Sequence, residues 1–372
     1  MIGGAEYLAR EVCRRLVPEH QVTVLTSCAL DYRDWENHFP AGEEEDEGVR
    51  VLRFPGSRNR DWERFGRHSS LLYAARKVSP LPRFIENNWL RAQGPYCPEL
   101  PDQRERISAG SDLTVLFSCL YYPTVAGIRR VAGNSVLVPT AHDEPALDFS
   151  IYRETFSFPS HLVFLSPEEQ ELVNRKFDVK GIRQKIAGFG VDIPDETEKQ
   201  DGGYFLYLGR IEAGKKCDEL FSWALKAGLN LKAAGPACIE VPSEIDYRGI
   251  VPQEEKRQLL SGAKAIIIPS PNESLSITAL EAWASGKPII ASSSSPVLAG
   301  QVGRSGGGLV YSTFQEFVEA SRSISPEMGS RGKDFVRDKY SWDVIIREWK
   351  IILEDAARST ISEDSDIIPS TI

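Results

Sequence analysis

The stretch PSPNESLSITALEAWASGKP, residues 269–288, decides the fold that this sequence predicts. It follows an apolar run, residues 265–268, which is typical of a buried strand and ends at Pro269. Apolar residues with helical spacing come next, and Gly286 ends the helix before a second strand begins. The stretch therefore predicts a strand–loop–helix–strand unit of a parallel α/β layer.

The loop of this unit combines two kinds of binding group. Glu273 lies in the loop and Glu281, eight residues later, lies on the helix. Backbone N–H groups at the helix start carry partial positive charge and suit an anion. The amides expected to face a ligand are those of Ser274, Leu275, Ser276 and Ile277. Because carboxylates accept hydrogen bonds from hydroxyl groups, a nucleotide sugar offers a partner for both kinds of group.

Other segments occur in an order that identifies a family. YFLYLGRIEAGKKCDEL (204–220) ends a strand in Gly-Arg with a Lys five residues after the Arg, and YRGIVPQEEKRQLLSGAKAIIIPS (247–270) leads into the two-glutamate loop. GGAEYLAREVCRRL (3–16) is a glycine loop with a first helix, and GFGVDIP (188–194) reads as an interdomain linker. Together with Glu-x7-Glu, this ordered set resembles the retaining family-4 glycosyltransferases over nearly the whole chain.

The resemblance implies the GT-B fold, an α/β architecture of two Rossmann-like domains with parallel sheets facing across a cleft. The expected domains are an acceptor-side domain over 1–188 and a nucleotide-sugar domain over 189–340. A helix over 341–358 returns to the first domain, and the polar residues 359–372 are expected to be disordered. Family members usually have a strand before the glycine loop. It is missing here, which leads us to expect an N-terminal truncation or a degenerate first domain.

Strand-like runs alternate with helical runs throughout, as parallel α/β layers require. The predicted strands are 22–26, 49–54, 113–117, 136–140, 162–165, 184–187, 205–208, 229–233, 246–249, 265–268, 288–291 and 308–311. The acidic run 43–47 is interpreted as a solvated loop.

In the family that the chain resembles, the equivalents of Arg210 and Lys215 bind the donor diphosphate, which suits a guanidinium fork and an ammonium. The second glutamate, here Glu281, accepts hydrogen bonds from the ribose. The first, Glu273, lies beside the donor sugar. Backbone groups near Val251 are expected to recognise the base. Taken without the resemblance, Arg210 and Lys215 are better interpreted as surface cations. The alternatives for the two acids are a solvent-facing helix carboxylate at Glu281 and a carboxylate at a helix N-terminus at Glu273.

Two features of the first half carry weaker expectations. His142 follows a predicted strand and corresponds to a family histidine near the transferred sugar, although a lone histidine is more often structural. Gly3 and Gly4 allow an acceptor or phosphate to approach the helix start, or form a plain turn. There is no convincing Asp-x-Asp motif, and we expect no metal or cofactor.

Composition narrows the function classes. The 372 residues suffice for two domains, and the formal charge of −9 argues against a general nucleic-acid binder. The six cysteines lack metal-site spacing and read as reduced thiols. No apolar run reaches the roughly 20 residues of a membrane span. A cytoplasmic location follows, and the arginine-rich residues 50–106 allow either peripheral contact with the inner membrane face or an ordinary solvated surface.

The sequence thus predicts a retaining glycosyltransferase that moves a hexose-type sugar from a nucleoside diphosphate to a glycan, lipid-linked or small-molecule acceptor. A catalytically inactive homologue, acting as a binding or scaffold subunit in glycan assembly, remains the alternative.

Overall fold

The computed structural model of the chain describes residues 3–131, 134–194 and 202–365, with side chains as far as Arg358. It divides into two compact units. The C-terminal unit comprises residues 188–345, and the N-terminal unit comprises the residues before 188 together with those from 346 onward. Each unit has its own hydrophobic core.

The N-terminal unit contains seven strands among the described residues. They are β1 (Thr23–Ser27), β2 (Gly42–Asp46), β3 (Val49–Phe54), β4 (Thr114–Phe117), β5 (Ser135–Val138), β6 (His161–Phe164) and β7 (Arg183–Ile186). Its helices are α1 (Gly4–Leu16), α2 (Trp62–Val78), α3 (Arg83–Gln93), α4 (Leu100–Ser108), α5 (Tyr122–Ile128), α6 (Ser150–Thr155) and α7 (Pro167–Lys176). The apolar residues of β5 and β6 are almost fully buried, as parallel strands covered on both faces require.

These strands form two sheets. One has the order β1-β3-β2 and the other has the order β4-β5-β6-β7, with parallel pairing except between β2 and β3. Strands β1 and β4 therefore each end a sheet, and α1 is the first element of the described chain. A strand preceding the glycine loop is thus not part of the described structure.

Strand β2 corrects one expectation. The acidic run interpreted as a solvated loop is an edge strand, antiparallel to β3. Its carboxylates are paired across the strands, with Glu43 bound to Arg50 at 2.7 Å and Glu44 to Arg53. Asp46 is bound to Arg10 of α1 at 2.9 Å. Alternating charge pairs across a two-stranded ladder thus compensate for the low strand propensity of Glu and Asp.

The C-terminal unit is built on one parallel sheet with the order β10-β9-β8-β11-β12-β13. The strands are β8 (Tyr204–Leu208), β9 (Leu231–Ala234), β10 (Asp246–Tyr247), β11 (Ala263–Ile268), β12 (Ile289–Ser292) and β13 (Gly308–Tyr311). The helices are α8 (Cys217–Lys226), α9 (Gln253–Gly262), α10 (Ile277–Ala284), α11 (Pro296–Ser305), α12 (Phe314–Ser323) and α13 (Pro326–Tyr340). Buried Ala265, Ile267 and Ile290 belong to its core.

The last helix, α14, runs over Trp342–Ser365 and therefore extends past the expected end at residue 358. The expectation of disorder from residue 359 is wrong as far as Ser365, because this polar segment contains no Gly or Pro to stop the helix before Pro369. The remainder of the expected tail, 366–372, lies outside the described residues. None of the helices in the described chain is both long and apolar enough to span a bilayer.

Candidate functional site

Strands β8 and β11 are parallel neighbours, and this pairing brings the predicted site together. The carboxyl ends of parallel strands lie at one edge of the sheet, where open α/β sheets bind ligands. The segment after β8 carries Arg210 and Lys215, and the segment after β11 carries Glu273. The sequence separates these two segments by more than fifty residues, and the sheet order places them side by side.

The backbone at Arg210 is held from several directions. Gly209 adopts φ +145° and donates its N–H to the carbonyl of Ala234 at 3.0 Å. The carbonyl of Arg210 accepts a hydrogen bond from the hydroxyl of Tyr207 at 2.6 Å and contacts the Cys217 sulfur at 3.8 Å. Burial raises the pKa of Tyr207, so the phenol keeps its proton as a donor. The start of the Arg210 side chain is therefore rigidly positioned.

Four charged side chains cluster at this edge. Lys215 Nζ lies 3.1 Å from Glu273 Oε1, and an Arg210 guanidinium nitrogen lies 3.6 Å from Glu212 Oε2. The Glu273 carboxylate raises the pKa of Lys215, which keeps the ammonium charged. Each cation is paired with an acid of the protein. A bound dianion could interact with both cations while these pairs remain. Glu212 was not predicted, although it stands only two residues after Arg210 in the sequence.

Glu281 lies on α10, as predicted, and forms a second acid–base pair. Its Oε1 is 2.6 Å from Lys256 Nζ of α9, and both side chains are partly buried. Lys256 was missed because no spacing in the sequence links it to Glu281; only the packing of α9 and α10 around β11 does so.

The four predicted amides have different surroundings. Ile277 begins α10, and Ser276 is the N-cap residue whose Oγ accepts the N–H of Ala279 at 3.4 Å. The Ser276 N–H donates to Gln301 Oε1 at 3.3 Å in this structure, and its contact with a ligand stays a prediction. Leu275 is buried. Ser274 is partly buried, and it too has interactions with the protein.

Val251 lies between β10 and α9, partly exposed, after the exposed Ile250. The preceding Gly249 accepts the N–H of Gly235 at 2.8 Å, which ties this segment to the turn after β9. Backbone groups around Val251 are thus held near the sheet edge that carries Arg210, and their contact with a base stays a prediction.

In the N-terminal unit, His142 follows β5 and lies beside a buried carboxyl group. His142 Nδ1 is 3.1 Å from Glu144 Oε1, and the Glu144 N–H donates to the His142 carbonyl at 2.8 Å. Burial raises the pKa of Glu144, and His142 opposes that shift. Asp143, between them, points to Arg175 and Lys176 on α7 and is half exposed. His142 and Glu144 thus form a dyad able to bind hydroxyl groups.

Gly3 and Gly4 begin α1, and a carboxylate already lies over this helix start. A Cβ atom added to Gly3 would come within 2.3 Å of Glu6 Oε2. The Gly3 carbonyl accepts the N–H of Tyr7 at 3.0 Å. A phosphate at this position would meet the negative charge of Glu6, whereas a hydroxyl group could donate a hydrogen bond to it. The geometry therefore favours a hydroxylated ligand over an anion here.

Glu169 of α7 holds the segment that leads into His142, and it gives a pH-dependent prediction. Its carboxyl oxygens accept the N–H groups of Ala141 at 2.6 Å and Leu165 at 2.7 Å. Burial raises its pKa from 4.5 to about 8. Its contribution to folding is therefore complete below pH 4.5 and is lost as the pH rises toward 8.

The variant Glu169→Gln cannot ionise and should lose this dependence. We expect its free energy of unfolding, relative to the wild type, to improve by about 1.4 kcal/mol for each pH unit between pH 5 and 8. Urea unfolding of both proteins across this range measures the difference. A difference that stays constant with pH would show that Glu169 does not titrate in the folded protein.

Comparisons with known proteins identify similar structures and one matching sequence segment. Residues 239–329 match the sequence model of the family described as Glycosyl transferases group 1. The fold resembles sucrose-phosphate synthase from Thermosynechococcus elongatus, with TM-score 0.69 and 16% identity over 95% of this chain and 93% of that one. The chain has the GT-B fold.

Two further structures of this fold contain nucleotide. HepE of Anabaena, solved with UDP and glucose, has TM-score 0.65 and 13% identity over 95% of this chain and 96% of that one. The pneumococcal O-GlcNAc transferase GtfA, solved with UDP and GlcNAc, has TM-score 0.54 and 13% identity over 69% of this chain and 59% of that one.

The segment that matches the family model contains Val251, Glu273 and Glu281, whereas Arg210, Lys215 and His142 lie outside it. Within the described part of the chain, no group of three or more His, Cys, Asp or Glu side chains is arranged to hold a metal ion. Cys238 is exposed, Cys13 is partly exposed and the other four cysteines are buried.

Proposed function

We propose that the C-terminal unit binds a nucleoside diphosphate sugar and that the protein transfers the sugar to a hydroxyl acceptor. The observation that carries the proposal is the cluster of Arg210 and Lys215 beside Glu273 at the carboxyl edge of β8 and β11. The two cations would bind the diphosphate. Glu281 would accept hydrogen bonds from the ribose hydroxyls, and Glu273 would lie beside the donor sugar. Each charge-assisted hydrogen bond contributes about 1.5–3 kcal/mol.

Arg210 and Lys215 would stabilise the leaving group. As the bond to the anomeric carbon breaks, negative charge grows on the diphosphate, and cations held in place stabilise that charge without reorganising. Lys215, whose pKa the Glu273 carboxylate raises, remains an ammonium throughout. When the diphosphate also binds Lys215, the Glu273 carboxylate is less neutralised by that ammonium. It then lies beside the sugar, where its negative charge stabilises an oxocarbenium-like carbon.

We propose retention of the anomeric configuration, with the acceptor attacking the face that the diphosphate leaves and a phosphate oxygen taking the acceptor proton. Support comes from the resemblance and from the pairing of Glu273 with Lys215, which makes this carboxylate a weak candidate for a covalent nucleophile. The anomeric coupling constant of the product, measured by NMR before mutarotation, tests the proposal. An inverted product would reject it.

The donor base is proposed to be uracil, on the support of the UDP complexes of HepE and GtfA. The N-terminal unit is proposed to bind the acceptor as a polyhydroxylated glycan or the sugar of a lipid-linked glycan. Glu6 over the start of α1 and the His142–Glu144 pair are groups that accept hydrogen bonds from hydroxyls. The proposed role in the cell is polysaccharide biosynthesis in the cytoplasm.

The activity is tested by incubating purified protein with UDP-, GDP- and ADP-sugars and measuring release of nucleoside diphosphate with and without oligosaccharide acceptors. We expect release with one base only and faster release with an acceptor. Thermal stabilisation by a nucleotide sugar without release or transfer would instead support the inactive homologue. The proposal would be rejected if no donor either stabilised the protein or released nucleoside diphosphate.

We propose that the protein acts at an anionic membrane surface and contacts it peripherally through helix α2. Its exposed side chains include Leu71 at 70% and Val78 at 89% exposure, and Phe84 at the start of α3 is 66% exposed. Arg67 of the same helix is also solvated. Apolar side chains among basic ones suit insertion at the interface of acidic lipids.

We expect the protein to float with vesicles of phosphatidylglycerol and phosphatidylcholine and not with phosphatidylcholine alone. The double variant Leu71→Glu/Val78→Glu should reduce flotation at least about tenfold, because burial of each side chain contributes about 1.5–3 kcal/mol. Leu225→Glu, at an exposed position of α8, is the control. Equal flotation of both variants would argue against α2 as the contact.

A further inference from the structure

Lys256 and Glu281 form the shortest of the acid–base contacts described at this sheet edge. Lys256 Nζ lies 2.6 Å from Glu281 Oε1, and the two side chains are 25% and 21% exposed. The pair joins α9 to α10 across a separation of twenty-five residues. An exposed ion pair contributes little to stability, but a partly buried pair at this distance fixes the orientation of both groups.

We propose that Lys256 is a positioning residue that orients the Glu281 carboxylate toward the ribose of the donor and thereby makes the site selective for ribose over deoxyribose. This inference rests on the proposed function, in which Glu281 binds the ribose hydroxyls. The site would therefore select a ribonucleoside diphosphate as its ligand.

The physical argument starts from the freedom of a glutamate side chain. A carboxylate on a helix surface samples several rotamers, and ordering it costs free energy when a ligand binds. An ammonium bound to Oε1 removes that freedom before the ligand arrives. It also leaves Oε2, and the second acceptor position of Oε1, available for hydroxyl donors, since each carboxylate oxygen accepts two hydrogen bonds.

Helix α9, which carries Lys256, also connects this pair to the segment proposed to contact the base. The segment containing Val251 lies one turn before Lys256 in the chain. The position of α9 thus couples the proposed base contact to the proposed ribose contact.

A simple structural tie between α9 and α10 would produce the same distance, and the two roles predict different results. A structural tie affects the binding of all nucleotides alike. A positioning role affects only ligands that carry the hydroxyl, so that the ratio of affinities for ribo- and deoxyribonucleotides changes. This ratio is insensitive to a modest loss of folded protein.

The experiment measures by titration calorimetry the Kd values of UDP, GDP and ADP, then of the 2′-deoxy and 3′-deoxy forms of the nucleotide that binds most tightly. We expect the wild type to prefer the ribonucleotide over at least one deoxy form by about tenfold or more. In Lys256→Met this preference should fall to about twofold or less, whereas Lys256→Arg should keep it.

Lys232→Met is the matched control. Lys232 is a lysine of the same unit with the same 25% exposure, and on β9 it is paired at 3.7 Å with Asp246 of the neighbouring strand β10 rather than with Glu281. Its preference should equal that of the wild type. Glu281→Gln should lose the preference to the same extent as Lys256→Met.

The outcomes separate this inference from the proposed function. If Glu281→Gln loses the preference and Lys256→Met keeps it, or if Lys256→Met weakens all nucleotides equally, the positioning role is overturned while donor binding stands. If Glu281→Gln keeps the preference, Glu281 does not bind ribose and the inference is overturned with that assignment. If the wild type binds none of the nucleotides, the proposed function itself is overturned.

Discussion

Replacing Arg210 by alanine should lower kcat/KM for the nucleotide-sugar donor by about 100-fold or more, with the fold intact. The estimate follows from the loss of one or two charge-assisted hydrogen bonds to the diphosphate, each contributing about 1.5–3 kcal/mol. Lys215→Met should have a similar effect and should also leave Glu273, 14% exposed, without its partner at 3.1 Å. Initial rates of diphosphate release, with circular dichroism and Tm as checks on folding, measure both effects.

The control for these variants is Arg257→Ala, which removes an arginine of α9 that is 62% exposed and paired only with its helix neighbour Glu254. It should act like the wild type, because an exposed pair of this kind contributes about 1 kcal/mol at most. The double variant Lys215→Met/Glu273→Gln separates two roles of Lys215, which are binding the diphosphate and neutralising Glu273. It lacks the diphosphate contact but does not leave an unpaired carboxylate. Wild-type turnover in both Arg210→Ala and Lys215→Met would reject the assignment of the donor site.

Replacing Gly235 by alanine should disrupt the same site through the backbone. Gly235 has φ +136°, a conformation that residues with a Cβ rarely adopt, and an added Cβ would lie 1.9 Å from the carbonyl oxygen of Gly209. Gly209 directly precedes Arg210, so the clash displaces the segment that carries the guanidinium. Strain and overpacking together should cost about 2–6 kcal/mol of unfolding free energy.

Urea unfolding and titration with nucleoside diphosphate measure the two consequences of Gly235→Ala. Gly228→Ala is the matched control, because Gly228 has φ +66° and an added Cβ would meet nothing within 4 Å. It should cost only the conformational strain, about 1 kcal/mol, and should leave nucleotide affinity unchanged. Equal effects of the two variants would mean that the contact with Gly209 relaxes easily.

The sequence predicts most strands of both units to within about two residues at each end, because apolar and β-branched runs bounded by turn residues leave a simple signal. The runs at 49–54 and 308–311 match β3 and β13 at both ends, and the apolar run before Pro269 matches the end of β11. Strand β2 escapes prediction because its residues, from Gly42 to Asp46, have low strand propensity. Its stability comes from arginines on β3 and α1 that only the fold brings near.

The sequence predicted Arg210, Lys215, Glu273 and Glu281 through the family resemblance, and their roles in binding a donor stay predictions. Their placement is explained by the strands before them, which fix where each segment lies relative to the sheet. Glu212 and Lys256 were missed because their significance depends on which charges face them, and tertiary packing decides that. The engagement of the Ser276 N–H by Gln301 likewise depends on a residue twenty-five positions away in α11.

The most direct measurement of the central claim is a crystal structure of the protein with the nucleoside diphosphate that binds most tightly in solution. The account predicts the diphosphate on the Arg210 guanidinium and the Lys215 ammonium, with a ribose hydroxyl within hydrogen-bonding distance of Glu281. A nucleotide bound elsewhere, or a diphosphate that contacts neither cation, would contradict it.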